Sequence, residues 1–407
     1  MTQPLSVDTT LADEIGAPRF WERVFERWCQ NIDRGVLTVR FPSGRRITFR
    51  GPNPGPEAAI RLHHPRVIRR LFFGGDIGLA EGYMADEWDC RDLTKVLAFG
   101  AANLQAMDRV LAAAWPRRLL NRLYHSRRAN TRRGSRRNIA AHYDLGNTFY
   151  RHWLDETMTY SAALFAHPDE DLAVAQERKY RRLAEAINLS AADHVLEVGC
   201  GWGGFATFAA RTYGCRVTGL TLSKEQAAHA TAKVTAAGLA DQVEIRIQDY
   251  RDVAGSFDKI VSIEMFEAVG EENWPIYYST LRDRLRPGGR IGLQAITIAD
   301  DAFPSYRAGT DFIQRYIFPG GLLASPRVME QTAQDCGLAT TNDFFFGDSY
   351  AETMRRWQQR FLATWPEIEP LGFDRRFQRM WQYYLSYCEA GFRQGHISVG
   401  QFVLAHK

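Results

Sequence analysis

The chain has 407 residues, 45% of them hydrophobic and 24% charged, with a formal net charge of +4. That length exceeds what one hydrophobic core ordinarily serves, and the composition excludes wholesale disorder, so at least two folded parts are expected. No apolar run approaches the roughly 18–20 residues of a spanning helix, and the opening MTQPLSVDTTLADEIG has no basic-then-apolar signal, so the expected location is the cytoplasm.

The first expected element is a hairpin: Gly35 to Gly44 and Arg46 to Gly51 are alternating runs joined at Pro42-Ser43-Gly44. A helical pattern follows through His64 to Phe72, and residues 1–115 read as a small α+β domain. The six cysteines are scattered without a CxxC pair, which predicts reduced, mostly buried thiols, no disulfide framework and no metal site. Residues 116–137 read as a linker. Nine arginines and no acidic residue lie between Pro116 and Asn138. Such a run is either a solvated connection or a surface that docks on anionic lipid, where each basic residue near a membrane contributes about 1 kcal/mol.

From 138 to 407 the pattern alternates strand and helix. Val195–Val198, Arg216–Leu222, Val243–Ile247, Lys259–Ile263 and, after a Pro-Gly-Gly turn, Gly289–Thr297 are the expected strands, with helices over Phe205–Thr212 and from Lys224. This predicts a doubly wound parallel sheet of Rossmann-like α/β type, whose ligands bind at the carboxyl ends of the strands.

Gly199-Cys-Gly-Trp-Gly-Gly204 falls between the first of these strands and its helix, where missing side chains let backbone N–H groups approach a ligand. GxGxxG alone is weak, but two neighbours sharpen it. Glu197 places an acid inside the strand, able to organise the loop and offset a sulfonium or ammonium charge. The second strand ends on Thr221, where a nicotinamide dinucleotide site wants an acid for the ribose.

Seven motifs in order then carry a resemblance: Tyr160-Ser-Ala, the Val195–Gly204 loop, Leu220-Thr-Leu-Ser-Lys-Glu-Gln226, Gln248-Asp-Tyr-Arg-Asp252, Met265-Phe-Glu267, Tyr316-Ile-Phe-Pro-Gly-Gly321 and Arg360-Phe-Leu-Ala-Thr-Trp-Pro-Glu367. From about His142 onward the chain closely resembles the cyclopropane fatty acid synthase family, and more loosely before that. The resemblance implies a class I methyltransferase that uses S-adenosylmethionine on the cis double bond of an unsaturated acyl chain in a membrane phospholipid. It places Gly199, Gly201, Tyr160 and Ser161 at the methionine part of the cofactor, Gln226 at the ribose and Asp249 at the adenine; Glu197 and Thr221 complete the expected cofactor set.

An alkene is a weak nucleophile, so it must be aligned in a dry channel; transfer leaves a carbocation, which aromatic faces stabilise and a base must then deprotonate. The family holds a bicarbonate for the second task with a Cys, a Glu, a His, an Ile backbone and a Tyr. Glu267, Ile296 and Tyr350 match, whereas the Cys position is Ala162, the His position is Gln294 and the His after the Glu is Ala268. These departures put the bicarbonate in question, since Gln donates a hydrogen bond but does not titrate. Tyr143 matches an aromatic residue near the reacting centre. Glu267, Tyr350, Tyr143 and Gln294 are thus the expected catalytic residues; Glu264 is read as supporting or exposed and stays outside that set. The aromatic stretches Phe303–Phe318 and Trp381–Phe392 are ordinary core or, by resemblance, an acyl tunnel with its lid.

The altered site favours a methyl- or methylene-branched product over a cyclopropane ring, which is the alternative. The expected partners are an unsaturated phospholipid and, by peripheral contact, an anionic membrane surface, with a homodimer allowed and no nucleic acid. A nucleic-acid methyltransferase is disfavoured because neither an Asn-Pro-Pro-Tyr motif nor a Pro-Cys nucleophile is present. A non-catalytic lipid-binding protein is disfavoured by the intact glycine loop, Glu197 and Gln226.

Overall fold

The structure is a computed structural model that describes residues 20–103, Ala106 and 145–407. The arginine-rich segment and Tyr143 lie outside the described residues. The chain divides into two compact units, one of which joins the N-terminal residues to 372–394, the other comprising the remainder.

In the first unit, α1 (Phe20–Cys29) precedes the expected hairpin, β1 (Arg34–Arg40) and β2 (Arg46–Arg50), which pair antiparallel with Val36 opposite Arg50. Alternation turns Leu37, Val39 and Phe49 inward. β3 (Asn53–Leu62) runs parallel to β1 and buries Ala58, Ile60 and Leu62 at every second position. Sequence reasoning missed this strand because its opening Asn-Pro-Gly-Pro has the composition of a turn. The expected helix is α2 (Arg66–Met84), interrupted at Gly75, where φ is +58°. β4 (Trp88–Asp89) closes the sheet in the order β2-β1-β3-β4, and α3 (Leu93–Ala102) is capped by the Asp92 side chain, which accepts the Lys95 N–H.

The late helix Arg375–Arg393 belongs to this unit. Tyr83 donates its hydroxyl to Gln382 Oε1 at 2.9 Å, Thr94 donates to Glu389 Oε2 at 3.0 Å, and the Arg379 guanidinium lies 3.8 Å from the centre of the Tyr83 ring. The aromatic stretch from Trp381 to Phe392 is therefore placed among the N-terminal helices, with Trp381, Tyr383 and Tyr384 buried.

In the second unit the five expected strands are β5 (His194–Val198), β6 (Arg216–Thr221), β7 (Val243–Ile247), β8 (Phe257–Ile263) and β9 (Leu285–Ile298). All five run parallel. Two more, β10 (Leu338–Phe345) and β11 (Ile397–His406), extend the sheet to the order β10-β11-β9-β8-β5-β6-β7. Because β11 is antiparallel to both neighbours, the whole sheet is mixed, while the five strands read from the sequence are parallel as expected. β11 sits between two strands and buries both faces over Val399–Leu404, so it lacks the alternation that marks a strand in sequence. The expected Pro-Gly-Gly turn lies within β9 instead, where the register with β8 shifts between Phe257 and Lys259.

Helices α4 (Leu172–Ala186), α5 (Gly204–Tyr213), α6 (Lys224–Ala236), α7 (Trp274–Arg284), α8 (Pro326–Asp335) and α9 (Gly347–Ala363) cover this sheet. Leu196, Ile260 and Leu293 pack with Tyr277 and Leu281 of α7 and Met329 of α8. Their neighbours Val195, Val261 and Val403 point to the other face, against Leu183 of α4 and Phe205 of α5. The two-residue period sends alternate side chains to opposite faces, and the parallel run of β5 to β9 brings their carboxyl ends to one edge of the sheet. Among the described residues no helix is long and apolar enough to cross a membrane, and no three His, Cys, Asp or Glu side chains are grouped to hold a metal ion.

Candidate active site

The carboxyl end of β5 delivers Glu197 and then the glycine loop. The N–H groups of Gly199 and Cys200 both donate to Leu220 O, at 3.0 and 2.8 Å, which bends the chain back over β6. Gly199 has φ +85°, and a Cβ there would meet Met265 Cγ at 2.8 Å, so glycine is required by both conformation and space. Gly203, also left-handed, starts α5. Glu197 is only 3% exposed. Burial pushes its carboxyl up to about 8, against the downward pull of the Ala206 N–H, Lys179 and Lys233. Its Oε2 is buried without a hydrogen-bond partner in the protein, which is the acceptor a cationic cofactor group would satisfy.

β6 ends on Thr221, whose hydroxyl donates to Gln226 Oε1 at 2.8 Å. That bond fixes the amide with its NH₂ as the end offered to a ligand. Ser223 Oγ accepts the Gln226 N–H and starts α6. Beyond β7, Asp249 is buried and accepts from Arg251 Nε at 2.8 Å and from its terminal nitrogen at 2.6 Å. Tyr160, Ser161, Glu197, Gly199, Gly201, Thr221, Gln226 and Asp249, the eight residues expected at the cofactor, all line one pocket.

Glu264 lines the same pocket, just past the end of β8. Its backbone is held at φ +50°, left-handed for a residue with a side chain, while its N–H donates to Gln294 O at 2.8 Å. Three donors converge on its carboxylate: the Ala162 N–H (2.8 Å) and Gln294 Nε2 (2.7 Å) on Oε1, and the Tyr350 hydroxyl (2.6 Å) on Oε2. Gln294 is fully buried and held from its other end, because its Oε1 accepts Gln401 Nε2 at 3.0 Å. Glu267 stands apart, its Oε1 accepting the Ile296 N–H at 2.5 Å and its buried Oε2 without a partner.

The two acids differ electrostatically. Burial, then the charge of Glu264, pushes Glu267 up to about 8. Burial raises Glu264 too, but Lys179, Tyr350, the Ala162 N–H and Gln294 all favour its ionised form. Glu264 therefore has the more favourable surroundings for the ionised form of the two acids. Lys179 is fully buried on α4 and donates to Ser161 Oγ; burial pulls its ammonium down to about 7, with Glu264 the foremost carboxylate opposing that fall.

Aromatic rings crowd Tyr160: Tyr150, Trp153 and Trp357 have centroids 5.5, 5.4 and 5.3 Å away, and Phe318 stacks at 6.4 Å. Tyr350 is edge-on to Trp357 at 6.2 Å. Such a cluster presents ring faces and edges that suit a transient cation.

Of the expected catalytic residues, Tyr350 and Gln294 meet at Glu264, Glu267 lies beyond them on Ile296, and Tyr143 is outside the described residues. Of the two readings of Glu264, supporting or exposed, the exposed one is corrected: the residue is a pocket-wall carboxylate with three donors. Its signal in the sequence was an acid immediately after a buried strand. Lys179 had none, since Glu-Arg-Lys-Tyr-Arg-Arg reads as a solvated helix face.

A sequence profile of the mycolic acid cyclopropane synthetase family matches residues 130–402. Tuberculostearic acid methyltransferase UfaA1 of Mycobacterium tuberculosis (strain ATCC 25618 / H37Rv) is 42% identical over 356 residues, covering 85% of this chain and 83% of its own. Cyclopropane-fatty-acyl-phospholipid synthase of Escherichia coli (strain K12) is 34% identical over 366 residues, covering 87% and 89%. Among solved structures, mycolic acid cyclopropane synthase CmaA1 complexed with SAH and CTAB superposes with a TM-score of 0.62 at 31% identity, covering 67% of this chain and 98% of that one.

Proposed function

We propose, from the premise that this chain belongs to the mycolic acid cyclopropane synthetase family, that it methylates the cis double bond of an unsaturated fatty acyl chain in a membrane phospholipid. It is an S-adenosylmethionine-dependent fatty acyl methyltransferase. The observation that carries the reading is a single pocket holding the glycine loop, the orphaned Glu197 oxygen, Gln226 and a hydrogen-bonded carboxylate beside an aromatic cluster.

In this reading Glu197 faces the charged end of the cofactor and Gln226 its ribose. The rings around Tyr160 exclude water from the reacting carbons and stabilise positive charge on the acyl chain. The product is methyl- or methylene-branched, in keeping with the greater similarity to the tuberculostearic acid methyltransferase than to the cyclopropane synthase. A ring formed at the same bond is the alternative. A saturated branch needs, in addition, a hydride donor.

Purified protein is incubated with S-adenosylmethionine and defined monounsaturated phospholipids, and the fatty acyl products are resolved by mass spectrometry. A branched chain is expected; a cyclopropane sinks the branched assignment, and no methylated lipid sinks the function.

The same proposal includes peripheral docking on anionic membrane through the nine arginines of the 116–137 segment and operation as a homodimer. Co-sedimentation with phosphatidylglycerol vesicles, lost at high salt, and light scattering test these two points.

A further inference from the structure

The family resemblance assigns a bound bicarbonate to five positions, and the geometry of this chain does not fit it. The Ala162 N–H, Gln294 Nε2 and Tyr350 hydroxyl, three of those positions, all donate to the protein's own Glu264 carboxylate. The Ile296 N–H of the fourth is taken by Glu267, the fifth. A second anion at these positions would have to displace the Glu264 and Glu267 carboxylates from the donors they already occupy. We infer that the Glu264 carboxylate takes the place of the bicarbonate and is itself the base that deprotonates the methylated acyl chain.

The inference rests on the acyl-methyl-transfer reading, and the arrangement of the residues supports it. Oε1 accepts two hydrogen bonds and Oε2 only one, so Oε2 keeps a lone pair for a proton. The carboxylate is held from three directions: Gln294 is braced by Gln401, Tyr350 projects from α9, and Ala162 follows the Tyr160-Ser161 pair that lines the pocket. Lys179 is close enough to favour the ionised form of Glu264.

When bound, S-adenosylmethionine supplies the methyl group as an electrophile and departs as the thioether, so the neighbouring acyl carbon is left cationic. Glu264 Oε2 then forms an O–H bond to an acyl-chain proton. The electron pair of the broken C–H bond falls to the cation, making a carbon–carbon double bond or closing a ring, and the neutral acid returns its proton to water after product leaves.

The test uses full-length protein, S-adenosylmethionine and monounsaturated phosphatidylglycerol vesicles, with initial rates read by mass spectrometry. Wild-type rate is expected to be the same in carbon-dioxide-free buffer and with added bicarbonate. Glu264→Ala is expected to lose product formation by about a hundredfold in kcat, the typical contribution of a general base. S-adenosylhomocysteine affinity by calorimetry should be retained, and added formate should restore part of the rate. A wild-type rate that falls without bicarbonate and recovers with it overturns the inference, and that arm decides should the variant fail to bind cofactor. Wild-type rates in Glu264→Ala also overturn it. Absence of product from the wild type overturns the transfer reading and this inference together, so the two failures are distinguishable.

Discussion

Glu197 should make cofactor binding release a proton. With its carboxyl pushed up to about 8 by burial, it is mostly protonated at pH 7 in the free protein, and a cationic ligand group at its orphaned Oε2 favours the ionised form. Binding therefore draws the folded-state value down, and affinity rises with pH until the free protein has lost the same proton. Each unit of pH below about 8 costs about 1.4 kcal/mol, a tenfold loss of affinity. Between pH 8.5 and 6.5 the dissociation constant should grow about 25-fold. The cations facing Glu197 are Lys179 of α4 and Lys233 of α6, and both already act to lower it. Isothermal titration calorimetry with S-adenosylhomocysteine, in buffers of differing ionisation enthalpy, measures the affinity and the protons released. Glu197→Gln provides the reference, because titration of the ligand's own amine is common to both proteins. A wild-type change below about threefold over that range, or an equal slope in Glu197→Gln, would refute the assignment.

Gly199→Ala forces a side chain into φ +85° and onto Met265, so a lower melting temperature and at least about tenfold weaker cofactor binding are expected by calorimetry. Phe266→Ala empties a site where the ring stacks on Trp274 at 5.5 Å and is 1% exposed; denaturant titration should show a loss of about 3–5 kcal/mol. Gln226→Ala removes the amide held by Thr221, and should raise the dissociation constant for S-adenosylhomocysteine while the affinity for methionine fragments alone stays unchanged. Tyr350→Phe deletes one charge-assisted bond to Glu264, worth about 1.5–3 kcal/mol, and should lower kcat by roughly ten- to a hundredfold with cofactor affinity retained.

That the residues expected at the cofactor would share one pocket was legible because they are local in sequence. A strand, an acid, glycines and a helix start occupy Val195 to Gly204, and the residues that answer them sit at the next strand ends. In the reacting half, Ala162, Gln294 and Tyr350 were named only through the family resemblance, and Lys179, Glu264 and Gln401 not at all as members of the set, because these distant segments meet only in the folded sheet. Glu264 could be seen as an extra acid, yet nothing local showed that three donors would turn toward it. In the fold, β11 was hidden by burial on both faces, and the placement of the late helix depends on Tyr83 and Thr94, nearly three hundred residues earlier.

That late helix and β11 bear on how the chain is made. The helix Arg375–Arg393 completes the first unit, and β11 inserts between β9 and β10 of the second. Neither unit can reach its final packing on the ribosome until the last stretch of chain has emerged, so the nascent sheet waits with the flanks of β9 and β10 unpaired. Synthesis of this enzyme should consequently lean on chaperones, and a stop codon near residue 371 should abolish both units together, although it spares every residue of the cofactor pocket.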